Sequence, residues 1–176
     1  MSELLAFDLQ PYIRAIPDFP QPGIIFRDIT PLLADTTAFH AAIMQMADHY
    51  RDNPPDVIAS AEARGFIFAA PLALELGVGF VPIRKPGKLP CDTHAFHYEL
   101  EYGTDTLEMH IDGISEGQSV LLVDDLLATG GTIDACCRLV EKAGAQVHGC
   151  AFLIGLKDLN GAARIADHSP FCLIEY

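Results

Sequence analysis

Apolar residues along the chain recur with the spacing of helices in three segments. Between residues 36 and 53 they return every three or four positions, which predicts a helix that ends at Pro54-Pro55. A second helix is predicted over 65–76, with Gly77 as its stop, and a third over 132–143. Each of these segments is therefore expected to bury one apolar face.

Mostly apolar runs with the length of strands lie between and after the helices. They span residues 57–60, 80–83, 120–123, 146–154 and 171–174. Two further segments, 98–102 and 106–111, flank Gly103-Thr104-Asp105 and predict an antiparallel hairpin. The alternation of strands and helices predicts a single α/β domain over residues 1–176 with a mainly parallel sheet.

Composition and charge narrow the classes of partner. The chain has 176 residues, half of them hydrophobic, so it can bury a core without disulfides or metals. Its 11 Lys and Arg against 24 Asp and Glu give a formal net charge of −13. That charge repels polyanions, so we expect no binding to nucleic acid or to anionic membranes. Taken alone, it also disfavours small phosphorylated substrates.

Processing signals and cysteines indicate the compartment. The first ten residues have neither a basic segment nor a long apolar one, so we expect no secretory signal. The most apolar stretch, 66–83, is interrupted by Pro, Gly and Glu and is unlike a membrane span. The five cysteines form no CxxC pair. Free thiols in a reducing cytoplasm are the simplest interpretation.

The most informative segment follows the predicted strand 120–123. Asp124 and Asp125 come at the end of that strand, and 129–132, Thr-Gly-Gly-Thr, leads into a helix. Backbone N–H groups at such a helix start bind a phosphate monoester, and the two carboxylates can accept hydrogen bonds from sugar hydroxyls. The segment lacks the Lys of a nucleotide P-loop and the GxGxxG spacing. It therefore predicts a ribose 5-phosphate site; the alternative is an ordinary surface turn with incidental acids.

The segment VDDLLATGGT resembles the phosphoribosyl pyrophosphate (PRPP) signature of type I phosphoribosyltransferases, in the form typical of their adenine-specific members. Other blocks of that family occur in its order: DFP at 18–20, PG at 22–23, FRDITP at 26–31, ARGF at 63–66, IRKPGKLP at 83–90 and LEYG at 100–103. The resemblance implies the type I phosphoribosyltransferase fold. It also implies a hood for base recognition over about 1–35 and a mobile catalytic hairpin loop over about 84–106.

The resemblance assigns roles around the sugar phosphate and the leaving group. It implies phosphate binding by Ala128, Thr129, Gly130, Gly131 and Thr132, and ribose or Mg²⁺ association of Asp124 and Asp125. Arg64, Arg84, Lys85 and Lys88 match residues near pyrophosphate, and the residue matching Arg84 reaches across a dimer interface. Clustered cations and Mg²⁺ suit a leaving pyrophosphate, although a solvated basic loop is the alternative.

The base is the point on which members of the family differ. The 6-oxopurine enzymes resemble this loop but have Asp where Ala128 stands, which argues against hypoxanthine or guanine. Glu101 matches the Glu that acts as acid or base in the family. The alternative interpretation is that Glu101 is a solvated strand residue without a catalytic role. The residues implied to bind adenine are Ile25, Phe26, Arg27 and Leu156. Without the resemblance, Phe26 would be taken for a core residue.

One segment departs from the family pattern. Cys91, His94 and His97 are three residues apart on the predicted loop, and a zinc site is the alternative to exposed or structural side chains. Because no clear fourth ligand follows, we expect no structural metal held directly by the protein.

The resemblance implies an enzyme that converts adenine and PRPP to AMP and pyrophosphate with Mg²⁺, as a cytoplasmic homodimer in purine salvage. A PRPP-sensing regulator is a second hypothesis, but no basic DNA-binding helix is visible in the sequence. The same reaction on xanthine or guanine is a third.

Overall fold

A five-stranded parallel sheet lies at the centre of the fold. The computed structural model describes residues 2–100 and 103–176. The strands are β1 Arg14–Pro17, β2 Ile25–Asp28, β3 Val57–Ala61, β4 Gly79–Ile83, β5 Thr93–Leu100, β6 Gly103–His110, β7 Ser119–Leu127, β8 Gln146–Gly155 and β9 Pro170–Glu175. The order in the central sheet is β4-β3-β7-β8-β9, with every neighbouring pair parallel. The predicted α/β class and mainly parallel sheet are confirmed.

Helices cover both faces of this sheet. They are α1 Ser2–Leu5, α2 Thr30–Ala34, α3 Thr36–Tyr50, α4 Gly65–Leu76, α5 Gly131–Lys142 and α6 Gly161–Arg164, with 3₁₀ turns at Gln10–Tyr12, Lys157–Leu159 and Ala166–His168. Leu121 and Val123 of β7 face the cluster that contains α3 and α4, whereas Val120 and Leu122 face the cluster that contains α5. This alternation is the reason why β7 is apolar at consecutive positions.

The predicted helices have the correct places and nearly the correct ends. The α3 helix begins after Asp35, whose carboxylate accepts a hydrogen bond from the Ala38 N–H at 2.9 Å. The α4 helix ends at Gly77, which has φ 71°. Among the described residues, no helix is both long and apolar enough to cross a membrane.

The strand predictions were less accurate at three places. Strand β7 continues to Leu127, so Asp124 and Asp125 lie within it rather than after it. The predicted hairpin begins five residues earlier than expected, because β5 starts at Thr93 and pairs with β6 up to His110. A second antiparallel pair, β1 with β2, was not predicted.

Candidate active site

The carboxyl ends of neighbouring strands bring the chemically active residues to one edge of the sheet. Arg64 follows β3, and the basic segment 84–88 follows β4. Asp124 and Asp125 lie near the end of β7, and Leu156 follows β8. In open α/β sheets ligands bind in the crevice outside the carboxyl ends of the strands.

A cavity of about 210 Å³ lies between the end of β7 and the start of α5. It is lined by Arg64, by Asp124 and Asp125, and by residues 126–133. Gly130 precedes α5 with φ 79°, a conformation that favours glycine, and the unpaired N–H groups of the first helical turn follow it. The cavity is therefore suited to an anionic group at the helix start.

The loop before α5 rests on a distant segment of the chain. A Cβ atom on Gly161 would collide with the backbone oxygen of Ala128 and would lie 3.1 Å from the Gly130 nitrogen. Likewise, a Cβ on Gly130 would meet the Gly161 oxygen at 2.9 Å. Both glycines are needed for this close approach of two backbones, and Gly161 was not singled out from the sequence.

The two carboxylates at the end of β7 have different surroundings. Asp125 is buried and accepts a hydrogen bond from Arg64 Nε at 2.5 Å, which is the main reason why the pKa of Arg64 is raised. Asp124 Oδ1 accepts the Asp125 backbone N–H at 2.9 Å. Desolvation, with the adjacent Asp125 charge, raises the pKa of Asp124 to about 7. One side of the cavity therefore carries the Arg64–Asp125 ion pair and, in Asp124, a carboxyl whose pKa is raised.

The basic segment after β4 has acidic partners that are remote in sequence. Arg84 Nη2 donates to Glu62 Oε2 at 2.8 Å, and the Lys85 backbone N–H donates to Glu62 Oε1 at 2.9 Å. Lys85 Nζ lies 3.0 Å from Asp105 Oδ2 on β6. The hydrogen bonds from the Lys85 N–H and from Arg84 lower the pKa of Glu62. No acid lies within the segment 84–88 itself, but Glu62 and Asp105, which are remote in sequence, fold against it.

A second cavity of about 190 Å³ adjoins the first. It is lined by residues 26–30 and by Arg64, Asp125 and Leu126, and the last three also line the cavity at the start of α5. Phe26 lies at its rim with 36% exposure and packs edge-on against Phe19, with ring centroids 5.2 Å apart. A planar apolar group in this cavity would lie beside whatever fills the cavity at the helix start.

Comparisons with known proteins agree with this geometry. Residues 32–172 match the phosphoribosyl transferase domain family. An adenine phosphoribosyltransferase of Rhodopirellula baltica is 59% identical over 169 residues, which are 96% of this chain and 82% of that protein. The chain belongs to the adenine phosphoribosyltransferase family.

Crystal structures of this family have the same fold. The adenine phosphoribosyltransferase of Thermoanaerobacter pseudethanolicus superimposes with a TM-score of 0.91 at 52% identity, covering 96% of this chain and 98% of that one. The Saccharomyces cerevisiae enzyme, in complex with D-2,5-dideoxy-2,5-imino-altritol 1,6-bisphosphate and adenine, has a TM-score of 0.86 at 35% identity, covering 97% and 98%. The predicted type I phosphoribosyltransferase fold is confirmed.

The structure of this phosphoribosyltransferase chain brings most of the predicted site residues to one place. Arg64, Asp124, Asp125 and the loop 128–132 line the cavity at the start of α5, and Phe26 and Arg27 line the adjoining one. Leu156 lines neither of them; it lies with Leu127 in a third cavity of about 270 Å³. Ile25 is 53% exposed, and Glu101 lies outside the described residues.

The hairpin β5–β6 packs along α5 and so lies near the loop 128–130 that precedes this helix. Leu107 and Met109 are buried, and Phe96 and Tyr98 are packed against the same core cluster. Lys142 Nζ at the end of α5 donates to the Ala95 oxygen at 2.8 Å. The Tyr98 hydroxyl donates to Asp105 Oδ2 at 3.5 Å, and burial raises the pKa of Tyr98.

The cysteine and histidines of the departing segment do not converge. His94 and His97 are three residues apart on β5, so their side chains leave opposite faces of the strand. His97 Nδ1 lies 2.7 Å from Thr106 Oγ1 on β6. Within residues 2–100 and 103–176, no group of three or more His, Cys, Asp or Glu side chains is placed to hold a metal ion.

Proposed function

We propose that the protein transfers the 5-phosphoribosyl group of PRPP to adenine and releases AMP and pyrophosphate. The observation that carries this proposal is the shared wall of Arg64, Asp125 and Leu126 between the two cavities. A sugar phosphate bound at the start of α5 then presents its anomeric carbon to a base beside Phe26. The named relatives with up to 59% identity support the same substrates.

The residues of the phosphate cavity hold the sugar. Backbone N–H groups of 128–132 bind the 5-phosphate, with the hydroxyls of Thr129 and Thr132 beside them. Asp124 and Asp125 accept hydrogen bonds from the ribose hydroxyls. Since Asp125 is already held by Arg64 at 2.5 Å, its carboxylate is oriented before the substrate arrives.

The cations at the sheet edge stabilise the leaving group. As the C1–O bond to pyrophosphate breaks, the C1–N9 bond to adenine forms through an oxocarbenium-like transition state. Negative charge then grows on the pyrophosphate oxygens, near Arg64, Arg84, Lys85 and Lys88. Glu62 and Asp105 hold two of these cations, Arg84 and Lys85, just after the end of β4, which limits their loss of freedom on binding.

The base is held by its faces and its edge. Phe26 stacks on the adenine ring and the backbone at 25 and 27 reads its edge. Leu156, which lines the third cavity beside Leu127, is assigned to the opposite face on the family resemblance. Ala128, which replaces the Asp of 6-oxopurine enzymes, leaves proton exchange at purine N7 to another group. We assign that role to Glu101 on the hairpin segment 84–106, whose closure excludes water from the sugar cation.

Mg²⁺ is the cofactor that we propose for this site. The acids at the end of β7 offer two carboxylates, and no cage of three or more acidic, His or Cys ligands is formed within the described residues. This donor set fits an ion held mainly through the oxygens of PRPP and pyrophosphate, as Mg²⁺ commonly is in phosphate-transfer sites. When bound, the ion supplies neutralisation of the pyrophosphate charge.

We also propose a cytoplasmic homodimer. The family resemblance, in which the residue matching Arg84 reaches across a subunit interface, supports the dimer, and the mass in solution by light scattering tests it. Free thiols support a reducing compartment: Cys137 and Cys150 are both buried with their sulfurs 3.7 Å apart and without a disulfide.

The substrate assignment is tested by incubating the protein with PRPP, Mg²⁺ and one base at a time. We expect pyrophosphate release with adenine, and little with hypoxanthine, guanine or xanthine. Absence of release with adenine would sink the proposal.

Glu101→Ala should lower kcat by about 10²-fold or more while the KM for PRPP changes little. Glu99→Ala, two residues away, is the matched control and should retain the parental kcat.

A further inference from the structure

Tyr176 contacts strand β2, which carries Phe26 of the proposed base site. Its half-buried ring lies under the guanidinium of Arg27, with Arg27 Cζ 3.7 Å from the ring centroid. At this distance the cation is attracted to the face of the ring. Arg27 is the immediate neighbour of Phe26, and both line the cavity of about 190 Å³.

The backbone of the same tyrosine is fixed to the other side of the proposed base site. The Tyr176 N–H donates to the Gly155 oxygen at 2.9 Å, and the Lys157 N–H donates to the Tyr176 oxygen at 2.8 Å. These two hydrogen bonds join residues on either side of Leu156. Tyr176 therefore connects the segment of Leu156 with the strand of Phe26 in a single residue.

Strand β2 needs such a connection because it belongs to a two-stranded sheet. Within residues 2–100 and 103–176, its four residues pair only with β1, and Ile25 and Phe26 are exposed. An isolated pair of strands is marginally stable in water, so its position depends on outside contacts. At Asp28 the strand is held by Arg14 and Thr30, which belong to the same N-terminal part of the chain. The Arg27–Tyr176 contact instead ties it to β9.

We propose that Tyr176 is a positioning residue that sets the separation between Phe26 and Leu156 and thereby the affinity for adenine. The inference rests on the proposed function, since it requires a base between these two side chains. Tyr176 lines neither the cavity at the start of α5 nor the one beside Phe26. Its effect is transmitted to Phe26 through Arg27. The role therefore predicts an effect on the base that is separate from any effect on PRPP.

The experiment compares Tyr176→Leu with Tyr176→Phe in the full chain. Leu retains apolar packing and both backbone hydrogen bonds but removes the aromatic face, whereas Phe retains that face. We expect Tyr176→Leu to raise the KM for adenine about fivefold at saturating PRPP, the loss of one cation–ring contact. The KM for PRPP should stay within about twofold, and Tyr176→Phe should resemble the parent.

A double-mutant cycle shows whether the effect passes through Arg27. Arg27→Gln should also raise the KM for adenine, and the double variant should be no worse than the poorer single variant. An unchanged adenine KM in Tyr176→Leu overturns the inference, as does an equal rise in both KM values, which indicates general loosening. If Tyr176→Leu fails to fold, Arg27→Gln alone decides, by whether it raises the KM for adenine while the KM for PRPP stays unchanged. Should the parent not use adenine at all, the proposed function fails instead.

Discussion

Each of three cations at the sheet edge has its own carboxylate partner. Arg64 is held by Asp125, Arg84 by Glu62, and Lys85 by Asp105, at 2.5, 2.8 and 3.0 Å. Before substrate binds, the charges at this edge are therefore largely balanced. If these cations bind pyrophosphate as proposed, each is held in place before the polyanion arrives, but each partner acid also opposes the incoming charge.

The repulsion between Asp105 and an incoming polyanion can be measured directly. Asp105→Asn removes one negative charge beside Lys85 and leaves a side chain of the same shape. We expect the Kd of the protein for pyrophosphate to fall about threefold, as one screened charge at a few ångströms would produce. The measurement is isothermal titration calorimetry with Mg²⁺ present. Asp112→Asn makes the same charge change at an exposed residue beyond β6 and should have no effect. Weaker binding in Asp105→Asn would mean that Asp105 chiefly orients Lys85.

Gly65 controls the position of Asp124 through lack of space. A Cβ atom at residue 65 would collide with Ser60 Oγ and lie 2.8 Å from Asp124 Oδ1. We expect Gly65→Ala to cost about 2 kcal/mol and roughly 6 °C in Tm, with a raised KM for PRPP. Calorimetry and steady-state kinetics check both. Gly79→Ala is the matched control: its Cβ would meet only Val57 at 3.6 Å, so a similar loss there would contradict the packing argument.

Contiguous features of the site could be predicted from the sequence, and pairings between distant segments could not. Asp124, Asp125 and the loop 128–132 form one uninterrupted pattern, and the structure places them around one cavity. Glu62 and Asp105 carry no local signal, because their role depends on which strands end beside each other. The position of Leu156 in a separate cavity likewise depends on the packing of α6 and β9.

At the scale of elements, burial decides which helices and strands could be predicted from the sequence. Helices α3, α4 and α5 and the central strands bury apolar faces, so their periodicity was visible in the sequence. The pair β1–β2 is mostly exposed and is joined by a segment rich in Pro, and such a strand has no alternating pattern. Strand β5 began earlier than predicted because pairing with β6, rather than an apolar face, extends it to Thr93.

The pair β1–β2 is held at one end by a carboxylate, which makes its stability dependent on pH. Hydrogen bonds from the Thr30 N–H and from Arg14 lower the pKa of Asp28 below its usual 3.8. Its contribution is therefore complete above that value and is lost as the pH falls through the lower pKa of the folded state. We expect Asp28→Asn to lower Tm at pH 7, and the difference from the parent to shrink below pH 3.8. A difference independent of pH would show that charge at Asp28 contributes nothing.

At the scale of the whole molecule, a net charge of −13 surrounds a site proposed for polyanions. A negative protein can still bind a polyanion, because the cations of the three ion pairs act on it by contact within the site. The excess negative charge, in contrast, acts from a distance. Salt screens distant charges more than close ones: the Debye length falls from about 30 Å at 0.01 M to about 8 Å at 0.15 M. The overall charge thus opposes the approach of PRPP more than its binding.

This separation predicts an unusual salt dependence. Between about 10 and 150 mM KCl at constant free Mg²⁺, kcat/KM for PRPP should hold or rise, because screening removes long-range repulsion and leaves the contact attractions. The matched variant is Asp52→Asn with Asp167→Asn, two exposed acids near the opposite edge of the sheet, which changes the net charge from −13 to −11. It should raise kcat/KM at low salt and flatten the salt dependence. A steep decline with salt in the parent protein would instead mean that the local cations attract PRPP from a distance despite the overall charge.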